Sequence, residues 1–125
     1  MNAHHAVIWI DHNEARIFRF VGEDQIEKLD LHSHQHGHVH NKHTVSGRRS
    51  EDHEYLRAVV DAVKDAEEFL VVGPGSAKLE LIRVMHKDHH ELEKRLVAVE
   101  TIDHPTDGQL LAYARKYFRK VDALR

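Results

Sequence analysis

Apolar positions along the chain fall into short blocks whose spacing changes, and the blocks predict the elements. Ala6-Val7-Ile8-Trp9-Ile10 is nearly continuous and rich in β-branched and aromatic side chains, as a buried strand requires. Asp11-His12-Asn13-Glu14 supplies turn chemistry, and Ala15 to Val21 resumes with partial alternation, which predicts a β-hairpin. After Gly22-Glu23-Asp24, residues Gln25 to Leu31 alternate Ile26, Lys28 and Asp30 against Glu27, Leu29 and Leu31. That pattern predicts a third, more exposed strand on which a second copy of the chain could pair to form a homodimer.

Periodicity then stops. Residues 32–49 repeat only histidine at every second position from His32 to His40, and Gly37, Gly47 and the Ser, Asn and Thr content predict a flexible loop. Ser50 is placed to cap a helix, with Glu51 and Asp52 in a first turn where the helix dipole favours acids. Leu56, Val59, Val60 and Val63 share one face of that helix. Phe69 to Val72 reads as a short buried strand ending in Gly73-Pro74-Gly75-Ser76, with Ser76 expected to cap a helix that buries Leu79, Leu81, Ile82 and Met85. Leu96 to Val99 is another strand. Thr106 and Gln109 fit a capping box, opening a helix that buries Leu110, Leu111, Ala114, Tyr117, Phe118 and Val121. Its outer face carries Arg115, Lys116, Arg119 and Lys120.

The order is β-β-β-α-β-α-β-α. Three strands joined by short turns pair antiparallel, and right-handed crossovers through helices return the later strands parallel to the first. The expectation is an α/β fold: a mixed five-stranded sheet with helices on its faces, of ribonuclease-H-like topology, in one domain over residues 1–125.

Composition narrows the function. With 41% hydrophobic and 31% charged residues the chain can build a core, and with no cysteine it excludes disulfides, thiol catalysis and iron–sulfur clusters. No apolar run approaches the roughly 20 residues of a membrane span, and Met1 to His5 lacks the regions of a signal peptide, so a cytoplasmic location is expected. The net charge is −3 with 14 histidines taken as neutral. Their reference pKa of about 6.5 means that mild acidification turns the chain positive. Leu31 to Ser50 holds no acid, while Lys42, Arg48 and Arg49 give it +3, so the remainder carries −6.

Candidate chemistry follows from these patterns. His32, His34, His36, His38, His40 and His43 could take up zinc or nickel. A string of interchangeable imidazoles chelates loosely, however, and a solvated basic loop that needs no cofactor is the plainer account. His86 and His90 stand four apart, a metal-compatible spacing if one helix carries both, but no HExxH is present. Asp11 and Glu54 are too few carboxylates for a two-cation nuclease. Gly73-Pro74-Gly75-Ser76 leads into a helix N-terminus that could meet a phosphate, yet Lys78 is misplaced for a P-loop and a tight turn explains it. Asp103-His104 lacks an identifiable nucleophile.

Phe69 to Leu79, with its Gly73-Pro74-Gly75-Ser76-Ala77 turn, resembles a strand-to-helix segment in the middle domain of archaeal and eukaryotic class-1 peptide-chain release factors. Leu96 to Leu110 resembles small bacterial relatives known as translational machinery proteins, themselves related to host-attachment-type proteins. In release factors the loop before the first helix carries a Gly-Gly-Gln tripeptide that promotes peptidyl-tRNA hydrolysis. Here the histidine segment stands at that place and Gly-Gly-Gln is absent. The resemblance therefore implies a translation-related RNA or ribosome partner, without catalytic residues to carry over. Lys42, Arg48 and Arg49 are the expected phosphate contacts; metal binding by the histidines, and hydrolysis of peptidyl-tRNA, are the other readings.

Overall fold

The computed structural model describes residues 3–22, 24–33 and 45–124, with side chains from residue 53 onward in the first helix. In order they form β1 (His5–Ile10), β2 (Glu14–Phe20), β3 (Ile26–His32), α1 (Val45–Val63), β4 (Glu68–Gly73), α2 (Ala77–Asp88), α3 (His90–Glu93), β5 (Leu96–Thr101) and α4 (Asp107–Ala123). The strands make one sheet in the order β3-β2-β1-β4-β5. β1 runs antiparallel to β2 and parallel to β4, and β5 is parallel to β4, as the element order requires.

The unbroken apolar run of β1 is explained by helices on both faces of the sheet. Ala6, Ile8 and Ile10 pack beneath α1 and α2 with Val59, Val63, Phe69 and Leu81. Val7 and Trp9 face the other way, onto Leu70, Val72 and the α4 side chains Leu110, Ala114 and Phe118. Alternate residues of one strand thus seed two cores. β3, on the sheet edge, tucks Leu29 and Leu31 against the first core and Ile26 against the second.

Local signals hold unevenly. Thr106 Oγ1 accepts the Gln109 amide at 3.1 Å and Gln109 Oε1 accepts the Thr106 amide at 2.9 Å, completing the expected capping box of α4. Ser50 does not cap α1: the helix reaches back to Val45, since nothing from 45 to 50 stops it and Gly47 alone costs only about 1 kcal/mol. The expected loop at 32–49 is corrected at both ends, with His32 closing β3. Ser76 has helical backbone angles and makes no side-chain cap; its carbonyl instead accepts the Leu79 and Glu80 amides. The buried face of α2 is also rotated from the expected one. Leu79 is 48% exposed, whereas Lys78, 7% exposed, turns inward and donates from Nζ to the Gly75 carbonyl.

An ionic strap ties α4 to the sheet. Asp107 accepts from Arg16 at 3.0 Å and from Lys28 at 2.6 Å, which holds its carboxyl below the ordinary 3.8, chiefly through the Lys28 hydrogen bond. A carboxyl depressed in the folded state adds stability above its unfolded value and loses it as pH falls through the folded one. Asp107→Asn should therefore lower Tm slightly at neutral pH, and the difference from wild type should close below about pH 4. Thermal melts from pH 7 to pH 3 measure it. No helix among the described residues is long and apolar enough to cross a membrane.

Candidate functional site

β1, β3, β4 and β5 all point the same way, because β3 and β1 each run antiparallel to β2. Their carboxyl ends share one pole of the sheet, the end at which open α/β sheets bind ligands. β3 ends at this pole with His32, and α1 follows it in the chain from Val45; residues 34–44 between them lie outside the described residues.

The floor of the pole is built by Asp11. Its Oδ1 accepts the Asn13 and Glu14 amides, each at 2.8 Å, and locks the β1–β2 turn. Its carbonyl accepts the Tyr55 hydroxyl at 3.0 Å. Burial, with Asp11 and Glu14 close by, pushes the Tyr55 hydroxyl far above its ordinary value, so it stays protonated as a donor. Asp11, which with Glu54 is too small a carboxylate set for a two-cation site, serves here as a turn former. Glu54 lies exposed on α1.

Around that floor histidines alternate with acids. His12 Nε2 lies 2.9 Å from Glu80 Oε2, and His32 Nε2 lies 3.6 Å from Glu14 Oε2. His104 has Nδ1 2.8 Å from Asp103 Oδ1 and Nε2 3.7 Å from Asp11 Oδ2, with its ring against Trp9 at 5.0 Å. The Asp103–His104 pair is thus part of this surface, tied into the β5–α4 connection. The Trp9 indole Nε1 donates to the Asp103 carbonyl at 2.7 Å, anchoring that connection to β1.

The Gly73-Pro74-Gly75-Ser76 turn closes the pole beside β1. A Cβ on Gly73 would lie 2.2 Å from the Ile10 carbonyl oxygen, so glycine there is a requirement of β1–β4 approach. Lys78 is spent on the turn's own backbone, which removes the cation a phosphate loop would need. The predicted site residues divide. His32 is placed, exposed, at the strand end; Arg48 and Arg49 lie on the first turns of α1, where only the backbone is described; Lys42, His34, His36, His38, His40 and His43 lie outside the described residues. His86 and His90 are not on one helix, because α2 stops at Asp88 and His89 adopts a non-helical backbone. Their rings still stack at 5.3 Å, and His86 Nδ1 is held 2.9 Å from Glu93.

At the opposite pole lies a group that sequence reading passed over: His5, Glu68 and Asp122. No local spacing signals it, since its members come from β1, β4 and the last turn of α4.

No family model and no curated protein matches the chain. Solved structures do. Pelota from Thermoplasma acidophilum is similar at a TM-score of 0.62 and 17% identity over 90% of this chain and 32% of that one. Pelota from Archaeoglobus fulgidus gives 0.62 and 13% over 93% and 32%. The archaeal translation termination factor aRF1 gives 0.64 and 17% over 96% and 38%. The chain spans about a third of the length of these proteins. At such identities the likeness establishes a shared fold, in agreement with the five-stranded mixed sheet.

Proposed function

We propose that this chain is a translation-related domain that binds RNA, on the ribosome or free, through the acid-free segment of its sequence between β3 and the first turns of α1. The supporting observation is the fold itself, nine-tenths or more of which is shared with a domain-sized part of Pelota and of a translation termination factor. Charge placement agrees with it. The body is acidic, and Lys42, Arg48 and Arg49 all fall within the acid-free stretch of the sequence, the composition expected of a segment that contacts a phosphate backbone. Without Gly-Gly-Gln the segment binds and does not hydrolyse peptidyl-tRNA. Small bacterial proteins of the translational machinery type, which the sequence resembles, would be its functional kin.

The test is co-sedimentation with ribosomes. Wild-type chain should pellet with them at low salt and be released as salt rises. Replacing Lys42, Arg48 and Arg49 together by alanine should weaken the association at least tenfold, because each removes a phosphate contact. Unchanged co-sedimentation overturns the proposal.

A further inference from the structure

The face of the sheet beneath α4 is apolar row by row: Trp9 beside Val72, then Val7 beside Leu70. The next row breaks the pattern, pairing His5 with Glu68. The two form an ion pair, Nε2 to Oε1 3.3 Å, and are only 13% and 19% exposed. Asp122 descends on them from the last turn of α4, with Oδ2 3.9 Å from the same His5 nitrogen. Two carboxylates therefore converge on one imidazole nitrogen. Asp122 also sits at a helix C-terminus, where the dipole disfavours an anion and a bound cation would relieve it.

We infer that His5, Glu68 and Asp122 form a binding site for a divalent cation that clamps the end of α4 to β1 and β4. One donor atom from each residue lies within 4.8 Å of the others. Ligands about 2.1 Å from a metal stand about 3 to 3.5 Å apart along a polyhedron edge. The His5–Glu68 distance already fits, and Asp122, 51% exposed, needs only a small side-chain adjustment. The imidazole plane is fixed by stacking on Phe118, centroid to centroid 4.2 Å, which orients Nε2 toward the carboxylates. The open cleft of about 880 Å³ beside them leaves room for water ligands. Arg115, Arg119 and His4 line that cleft and compete electrostatically with an ion, His4 being itself 2.7 Å from Glu67. One nitrogen and two carboxylates suit Mn²⁺, a harder cation than those an imidazole string prefers.

That difference gives a clean experiment on the full chain. Mn²⁺ titrated into the protein should lose its free-ion electron paramagnetic resonance signal with a stoichiometry of one. Asp122→Asn and Glu68→Gln should each weaken binding at least tenfold, while alanine at His34, His36, His38 and His40 should leave it unchanged. Asp122→Asn changes an exposed residue at the end of α4, so circular dichroism should show that variant folded. No Mn²⁺ binding by wild-type chain, or binding that survives Asp122→Asn and vanishes with the histidine-segment variant, overturns the inference.

Discussion

Gly73→Ala should unfold the chain or destabilise it by about 4 kcal/mol, at the upper end of single-substitution effects. The added methyl would meet the Ile10 carbonyl oxygen at 2.2 Å and its carbon at 3.3 Å, and both are backbone atoms of the central strand. Neither β1 nor β4 can move aside. Trp9 pairs with Val72 one position earlier, and the Gly73 carbonyl accepts the Ile102 amide at 3.2 Å on the other flank. Gly75 makes a natural control: a Cβ there meets nothing within 4 Å, so Gly75→Ala should change stability by less than about 0.5 kcal/mol. Urea denaturation of the two variants, followed by far-ultraviolet circular dichroism, separates them. Equal stability of the two would show that β1 and β4 do not approach as described.

The second large effect belongs to Trp9. It is fully buried between β1 and α4, among Val7, Phe18, Leu70, Val72 and Leu110. The Arg16 guanidinium covers its ring at 4.6 Å, and its indole N–H holds the Asp103 carbonyl. Trp9→Ala should cost about 3 to 5 kcal/mol through the cavity it leaves. Trp9→Phe keeps most of the packing and abandons the carbonyl, for about 1 to 3 kcal/mol. The ordering of the variants is the prediction. Because Trp9 is the sole tryptophan, circular dichroism rather than fluorescence must follow these melts. A phenylalanine variant as unstable as alanine would mean that the indole hydrogen bond, and not packing, holds the second core.

How much of this was legible beforehand differs between levels. Strand order was readable because β1 is apolar on both faces and the turn residues between β1, β2 and β3 are short, which leaves few ways to pair. The Thr106–Gln109 box was readable because both hydrogen bonds lie within four residues. Elsewhere local signals misled. Ser50 and Ser76 are good cap residues, yet the chain at Ser50 is already helical, and at Ser76 the backbone turns without using the hydroxyl. Lys78, misplaced for a phosphate loop by spacing, is 7% exposed, and its ammonium reaches the Gly75 carbonyl.

The sites show the same division. The acid-free segment is visible as composition, and the place of His32 at the carboxyl pole follows once β3 is known to run parallel with β1. Asp11 was legible as a strand-end carboxylate, but the competing turn geometry claims it. His5, Glu68 and Asp122 are far apart in the chain and meet only through the β1–β4 register and the docking of α4. Periodicity encodes which face a residue takes, not which distant residue it meets there.

The proposed role is tested most directly by the salt dependence of ribosome binding, measured side by side for wild type and the Lys42→Ala, Arg48→Ala, Arg49→Ala variant. Each phosphate contact contributes about 0.7 to 1 to the slope of log affinity against log salt. The variant should therefore bind more weakly at every salt concentration, with a slope shallower by about 2 to 3. Parallel lines of equal slope would contradict the assignment of this segment as the RNA-contacting surface.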